Sequence, residues 1–311
     1  MKAYHSPSLF EYFSELDGPF SQSVSWPLTA VTVDSLVEGI HFPEHTPAQW
    51  IAHKALAVNL SDLAAMGATP LAYTVALVLP LWDESWLHDF RQGLVELHDQ
   101  YRLNLLDCDV RCGPMSVTIQ AYGGVDKQSA LLRSAACVGD NIVVTGSLGD
   151  AACALPYYLN QKPLPEQFAG FLRQRFNCPY PRVEVGLALA TIARAAIDIS
   201  DGLSQDLAHI LTASKVGAIV HVDQLPASAA LTSLLDESER LRCQLGGGDD
   251  YELCFTLPKK NMALLDQHFS QLDVTYSVIG EIVNGSGITY KNNNHTINPE
   301  VHAYDHFANA T

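Results

Sequence analysis

The stretch that decides the fold is Ala55–Gly67, which reads ALAVNLSDLAAMG. It is almost entirely apolar and has helical character, and Gly67 provides a natural end for the helix. Asp62 is the exception, because a carboxylate among buried groups is unfavourable unless it is paired, hydrogen-bonded or bound to a cation. The stretch therefore predicts a largely apolar helix that carries one functional acid.

Other aspartates extend this pattern along the chain. Four of them share one property, which is that each follows an apolar run: Asp34, Asp109, Asp198 and Asp201. Few lysines or arginines lie beside them in the sequence, so a divalent cation is the expected counter-charge. We therefore expect these acids and Asp62 to form one metal-binding cluster.

Length and composition limit the class of protein. A chain of 311 residues favours two domains, and 48% hydrophobic with 17% charged residues is typical of a globular protein. The net charge of −16 argues against nonspecific nucleic-acid binding, which needs a basic surface. No secretory signal and no apolar run long enough to span a membrane are visible, and the seven cysteines form no CxxC pair. These features predict a cytoplasmic protein with reduced thiols.

Strand-like and helix-like segments alternate through the chain. The interpretation is two α+β or α/β domains, 1–128 and 129–311. In the first, Leu28–Asp34 is predicted as a strand, Pro47–Gly67 as a helix and Asp107–Pro114 as a loop. Near the end of the second, the polar segment Asn284–Asn294 is predicted to be turn-rich.

Three segments of the second half are candidate ligand sites. Gly146–Gly149 lies between a strand and a helix, where it is either a phosphate site or a plain tight turn. Gly246–Glu252 places three acids directly after a glycine triplet, which favours a ligand-contacting loop. In Asp198–Gly202, the period of two places Asp198 and Ser200 on one side of a strand, while Asp201 could instead cap the next helix. A Walker A loop and a nucleophile-elbow triad are both missing from the sequence.

Four segments together resemble the thiamine-monophosphate kinases, in order and over nearly the whole chain: Ala55–Ala68, Asp198–Leu203, Gly247–Leu253 and Tyr304–Phe307. The resemblance implies a two-domain fold like aminoimidazole ribonucleotide synthetase, with an N-terminal β-rich ATP- and metal-binding domain and a C-terminal α/β domain. It also implies a homodimer with shared β-structure. The implied reaction is Mg²⁺-dependent transfer of a phosphoryl group from ATP to thiamine monophosphate, giving thiamine diphosphate and ADP.

The resemblance also assigns roles by position. The implied magnesium ligands are Asp34, Asp62, Asp109, Asp198 and Asp201, with Thr32 near one ion. The implied nucleotide contacts are Arg133, Ser200 and Cys108, and the implied thiamine-phosphate contacts are His41, Asp249 and Tyr304. No general base is expected, because the second pKa of a phosphate monoester is about 6 and the acceptor is already largely a dianion.

The sequence departs from the family at two places. Ser21 and Gln22 stand where the family's N-terminal loop has two metal-binding aspartates, and Asp107–Cys112 replaces a Gly-Gly-Asp-Thr-Thr-Arg motif. Asp107 could replace one lost charge. Two alternatives therefore stay open: a weakened or inactive homologue that binds a thiamine phosphate or a partner, and an ATP-dependent enzyme for another phosphorylated or carboxylated metabolite. His41 and Tyr304 favour thiamine phosphate.

Overall fold

The computed structural model describes residues 28–159, 162–163 and 165–300. These residues form two compact units. The first contains residues 28–63 and 69–127, and the second contains residues 64–68 together with the chain from Gln128 onward. The second unit thus takes one short segment from within the first half of the sequence.

The first unit is built on a four-stranded sheet in the order β1-β4-β2-β3. Its strands are β1 (Leu28–Val37), β2 (Thr69–Leu79), β3 (Asn104–Cys112) and β4 (Ser116–Val125). Strand β4 pairs antiparallel with β1 and β2, whereas β3 pairs parallel with β2. Among the described residues, strands β1 and β3 are therefore the two edges of this sheet.

Two long helices accompany this sheet. Helix α1 (Ala48–Ala65) is buried at every residue from Ile51 to Ser61, as its apolar sequence predicts. Helix α2 (Glu84–Tyr101) is amphipathic and begins at Asp83, whose carboxylate accepts hydrogen bonds from the backbone N–H groups of two residues in the first turn. The predicted helix with a single acid is thus confirmed in α1.

The predicted loop Asp107–Pro114 is wrong over most of its length. Strand β3 continues through Asp107 to Cys112, because this segment pairs in register with Thr74–Leu79 of β2. Its polar residues resemble a turn in the sequence, but they lie on an edge strand where one side of the backbone is already paired.

The second unit contains a seven-stranded mixed sheet in the order β11-β10-β7-β9-β5-β8-β6. Its strands are β5 (Asn141–Thr145), β6 (Ala196–Asp198), β7 (Gly217–His221), β8 (Leu253–Leu257), β9 (Tyr276–Val283), β10 (Gly287–Asn292) and β11 (His295–Ile297). The predicted turn-rich segment Asn284–Asn294 is wrong over its central six residues, because β10 pairs parallel with β7, and Ile288 and Tyr290 pack on the core.

The helices of the second unit are α3 (Asp150–Tyr158), α4 (Ala169–Asn177), α5 (Val183–Leu189), α6 (Leu203–Ser214), α7 (Ala229–Leu234), α8 (Glu237–Gly246) and α9 (Met262–Phe269). One core cluster joins the sheet to α6, and a second joins α3, α4 and α7. Within the described part of the chain, no helix is both long and apolar enough to cross a membrane.

Candidate functional site

The first group of predicted ligands lies on β1 and α1. Thr32 and Asp34 are two residues apart on β1, so both point to the same face of the sheet. The Thr32 hydroxyl donates a hydrogen bond to the carboxylate of Asp62 on α1. The structure therefore places Thr32, Asp34 and Asp62 on one face, while the intervening Val33 is exposed on the other.

Asp109 does not join this group within one chain. Strand register aligns Asp34 with Cys108 across the sheet, whereas Asp109 lies in the row that contains Ser35. Neighbouring rows point to opposite faces, and three strand spacings, about 14 Å, separate the two edges. The Asp109 carboxylate is exposed and pairs with Arg111. A single ion therefore cannot bind Asp34 and Asp109 of the same chain.

The second group forms where two loops of the second unit run side by side. The N–H of Asp249 donates to the carbonyl of Ser200 at 2.8 Å, and the N–H of Ile199 donates to the carbonyl of Glu252 at 2.8 Å. These bonds continue the antiparallel pairing of β6 with β8 beyond Asp198. The structure therefore places the backbone of Ser200 beside that of Asp249, two residues beyond Asp198; the resemblance assigns these three residues to nucleotide, substrate and metal.

Glycine permits this close approach. A Cβ atom on Gly248 would lie 2.4 Å from the carbonyl oxygen of Ser200, and one on Gly202 would lie 2.8 Å from the backbone carbon of Gly246. Gly202 also has φ of +109°, which other residues rarely adopt. The glycine triplet therefore permits the close contact between the two loops in addition to forming the turn.

Asp201 does not cap the following helix, so that alternative is wrong. Helix α6 begins after Gly202 without a side-chain cap, and the Asp201 carboxylate accepts a hydrogen bond from Gln205 at 2.9 Å. The buried Asp206 instead accepts from the N–H groups of Ser200 and Asp201, at 3.1 Å each. Burial raises the pKa of Asp206 to about 7, although these backbone donors lower it. Asp206 thus holds the backbone of the Asp198–Gly202 loop through these two hydrogen bonds.

The remaining predicted contacts belong to different elements of the chain. Arg133 is exposed in a short 3₁₀ turn, and its carbonyl accepts a hydrogen bond from Ser214 at 2.8 Å. His41 accepts a hydrogen bond at Nδ1 from the N–H of Val37 at 3.1 Å. Tyr304 lies outside the described residues. The two aligned residues of the N-terminal loop, Ser21 and Gln22, also lie outside them.

The phosphate interpretation of Gly146–Gly149 is not supported. Helix α3 does begin after Gly149, but the Gly149 N–H donates to the carboxylate of Asp250 at 2.7 Å. A side-chain carboxylate therefore already occupies the position that an anionic ligand would take.

Asp250 belongs to a buried charge cluster that sequence reasoning missed. Arg175 Nη1 lies 3.0 Å from Glu252 Oε1, its Nη2 lies 3.7 Å from Asp250 Oδ1, and its Nε lies 3.5 Å from Asp150 Oδ2. Arg182 binds Glu252 through two further hydrogen bonds of 2.6–2.7 Å. The period of two between Asp250 and Glu252 was the available signal, since such spacing can direct both acids inward.

Burial and the two arginines shift the pKa values of Glu252 and Asp250 in opposite directions. Burial opposes ionisation of Glu252, but Arg182 and Arg175 outweigh it, so the pKa of Glu252 is lowered. Burial raises the pKa of Asp250 well above its usual value, and Arg175 offsets this only in part. The guanidinium groups of Arg175 and Arg182 thus face three carboxyl groups, those of Asp150, Asp250 and Glu252.

A cavity of about 720 Å³ lies beside the cluster, with Arg175, Arg182 and Glu252 in its wall. Its other lining residues include Phe171 and Tyr180, and none of the predicted metal, nucleotide or substrate residues that the structure describes is among them. This cavity therefore gives no support to the predicted roles.

The donor set suits magnesium. Mg²⁺ prefers oxygen ligands and typically takes one or two protein carboxylates, with water and phosphate oxygens completing its octahedron. Thr32, Asp34 and Asp62 offer only oxygen donors. Among residues 28–159, 162–163 and 165–300, no three His, Cys, Asp or Glu side chains already form a closed metal site. The residues therefore fit an ion that arrives with a phosphate ligand.

Comparison with known proteins gives matches over both units. The family model "AIR synthase related protein, N-terminal domain" matches residues 25–125, and the corresponding C-terminal domain model matches residues 138–291. The chain is 45% identical to the thiamine-monophosphate kinase of Salmonella typhimurium over 282 residues, which cover 90% of this chain and 86% of the relative.

Solved structures agree with these matches. The crystal structure of thiamine-monophosphate kinase from Stenotrophomonas maltophilia K279a is 43% identical, with a TM-score of 0.82 and coverage of 85% of each chain. A second structure, described as AaThiL complexed with AMPPCP and TMP, is 27% identical, with a TM-score of 0.78 and coverage of 90% of this chain and 87% of that one. The predicted two-domain fold is thereby confirmed.

Proposed function

The chain belongs to the thiamine-monophosphate kinase family, and we propose that it transfers the γ-phosphoryl group of ATP to thiamine monophosphate, giving thiamine diphosphate and ADP. The structural observation that supports this most directly is the pairing of the two loops of the second unit. In this pairing, the backbone N–H of Asp249 donates a hydrogen bond of 2.8 Å to the carbonyl of Ser200. Ser200 is expected to bind the nucleotide and Asp249 the substrate.

The acceptor chemistry needs no general base. The second pKa of a phosphate monoester is about 6, so the oxygen that attacks is already largely deprotonated at neutral pH. The obstacle is repulsion between two polyanions, together with the need for in-line alignment. The protein's task is therefore to position two phosphates and to bind the ions that reduce their repulsion.

We assign the magnesium ligands in two sets, one in each unit. Thr32, Asp34 and Asp62 would hold an ion in the first unit, and Asp198 and Asp201 would do so in the second. Bound Mg²⁺ would supply the positive charge that lowers the repulsion between donor and acceptor phosphates. Asp109 would have to hold a different ion from Asp34, because the two point to opposite faces of the sheet.

The nucleotide and substrate contacts complete the proposal. Arg133 would neutralise part of the nucleotide's charge, and Ser200 and Cys108 would be further nucleotide contacts. Asp249, His41 and Tyr304 would bind thiamine monophosphate, where a carboxylate can balance the thiazolium charge or accept a hydrogen bond from the aminopyrimidine.

A homodimer in the cytoplasm, where ATP and Mg²⁺ are available, is part of the proposal. Strand β1 is an edge of its sheet, and Val31 and Val33 on its outer face are 52% and 61% exposed. Exposed apolar edge strands are suited to pairing with another chain. Val33→Lys should therefore shift the protein toward monomer in light scattering, while Val278→Lys, at an exposed valine of the second unit, should not.

The test is formation of thiamine diphosphate by purified protein supplied with ATP, Mg²⁺ and thiamine monophosphate. The product is quantified by oxidation to its fluorescent thiochrome derivative. We expect turnover that disappears when the metal is chelated and returns when Mg²⁺ is restored. A folded protein that forms no product above the chelated control would contradict the proposal.

The replaced acids of the N-terminal loop and the separated Asp109 favour one second candidate, a homologue that binds a thiamine phosphate without catalysis. Calorimetry separates the two functions. A kinase should bind both thiamine monophosphate and the Mg²⁺ complex of an ATP analogue, whereas the non-catalytic homologue should bind only the former.

A further inference from the structure

Tyr251 makes a direct contact with Asp249, the residue whose carboxylate is proposed to bind the substrate. Its hydroxyl donates a hydrogen bond of 2.9 Å to Asp249 Oδ1, and only 8% of the Tyr251 residue is exposed. A buried ring cannot follow a moving carboxylate, so the hydroxyl is a fixed donor rather than an adaptable one.

The backbone holds this pair in an unusual conformation. Asp249 and Tyr251 have φ of +66° and +50°, values that side-chain-bearing residues seldom adopt. Two hydrogen bonds keep them there, from the Asp249 N–H to Ser200 at 2.8 Å and from the Tyr251 N–H to Ile199 at 2.9 Å. Backbone strain that the surrounding structure maintains is typical of functional sites.

The consequence is that both side chains turn toward each other. In a regular strand, residues two apart point the same way but stand about 7 Å apart along the strand. The left-handed conformation at both positions instead brings the tyrosine hydroxyl within hydrogen-bonding distance of the carboxylate.

We propose that Tyr251 is a positioning residue for substrate recognition: it fixes the orientation in which Asp249 meets thiamine monophosphate. This inference rests on the proposed function. A carboxylate already held in its bound orientation loses less conformational freedom when the ligand arrives, and the ligand therefore binds more tightly. Tyr251 thus acts on affinity for the thiamine phosphate, and the phosphoryl-transfer step does not depend on it.

The test is Tyr251→Phe, which removes the hydroxyl and keeps the ring. A hydrogen bond to a charged group typically changes an equilibrium by about tenfold or more. We expect the Kd for thiamine monophosphate, measured by calorimetry, to rise about tenfold. The KM for ATP should stay unchanged and kcat should stay within about twofold, because neither involves this carboxylate.

The chain offers a matched control. Tyr276 also donates to a carboxylate, that of Asp266, in the same unit, and neither residue belongs to the two paired loops. Tyr276→Phe should leave the affinity for thiamine monophosphate unchanged, although it removes the same kind of bond. A general loosening of the unit would affect both variants alike.

A double-mutant cycle separates positioning from a direct contact with the ligand. If Tyr251 acts through Asp249, then Tyr251→Phe should have no further effect in an Asp249→Ala background. Independent, additive effects of the two substitutions would overturn the inference, as would unchanged affinity in Tyr251→Phe. Thermal melting of each variant confirms that it is folded.

Binding of thiamine monophosphate by the wild-type protein distinguishes failure of the proposed function from failure of the positioning role of Tyr251. A wild-type chain that fails to bind thiamine monophosphate overturns the proposed function, and this inference with it. A wild-type chain that binds thiamine monophosphate, with Tyr251→Phe binding it equally well, overturns the positioning role alone.

Discussion

Arg182 and Glu252 form a two-point ion pair, in which the guanidinium Nε lies 2.7 Å from Oε2 and Nη2 lies 2.6 Å from Oε1. The Glu252 carbonyl also accepts a hydrogen bond from the N–H of Ile199. Glu252, which binds Arg182 in the buried charge cluster, is therefore also part of the loop pair that contains Ser200 and Asp249. We infer that the cluster holds the proposed site in shape without touching the ligands.

Arg182→Gln should destabilise the protein strongly. Removing one partner of a buried ion pair typically costs about 3–5 kcal/mol, and the lower end applies here because Arg175 still faces Glu252. Urea unfolding measures the change. Lys259→Gln is the control, since its pair with Glu281 is exposed and should contribute less than about 1 kcal/mol. Equal losses in both variants would contradict the structural role of the cluster.

Gly248→Ala should disrupt the loop pair, because its Cβ would lie 2.4 Å from the Ser200 carbonyl oxygen. Such a backbone clash forces the loops apart, and overpacking typically costs about 1–3 kcal/mol. Affinity for thiamine monophosphate should fall along with the unfolding free energy. Gly170→Ala, within helix α4 and with open space around its Cβ, should instead raise stability by about 0.5–1 kcal/mol. An unaffected Gly248→Ala protein would show that the close approach is unnecessary.

Acid should weaken the first unit through His98. Burial lowers the pKa of His98 from 6.5, and its Nδ1 lies 3.2 Å from the Tyr73 hydroxyl. Below pH 6.5 the unfolded chain binds a proton at this residue before the folded chain does, so stability falls as the pH falls. Above that value neither state is protonated and the effect vanishes.

The measurement is the unfolding free energy of wild type and His98→Gln from about pH 7.5 to about pH 5.5. The difference in unfolding free energy between wild type and His98→Gln should decrease as the pH falls, because only the wild type loses stability through protonation at this position. His88→Gln, at an exposed position on the same helix, is the control and should retain the wild-type pH dependence. A constant difference between wild type and His98→Gln would contradict the prediction.

Local patterns in the sequence were sufficient for the elements that carry the proposed site. The apolar segment around Asp62 does form the buried helix α1, and Asp198 does end a strand. These features depend on neighbouring residues, which sequence periodicity reports directly.

Features that depend on distant partners were not predictable in this way. Asp109 follows an apolar run as Asp34 does, yet strand register places the two on opposite faces. Strand register is set by pairing with β2 and β4, which the residues around Asp109 do not encode. Likewise, the buried carboxyl groups of Asp250 and Glu252 face Arg175 and Arg182, which are distant in the sequence. Asp249, next to Asp250, is not part of this cluster.

Asp62 gives the most direct test of the proposed metal ligands, because it accepts the Thr32 hydrogen bond and lies on the same face as Asp34. Asp62→Asn keeps the size of the side chain but removes the charge that would bind an ion. Loss of metal stabilisation worth several kcal/mol should lower kcat/KM by at least about a hundredfold. Asp89→Asn on helix α2 has no such role and should keep wild-type activity. Since Asn can still accept from Thr32, Asp62→Asn should stay folded, so an inactive but folded variant would assign the loss to the missing charge. An active Asp62→Asn enzyme would remove Asp62 from the set of metal ligands.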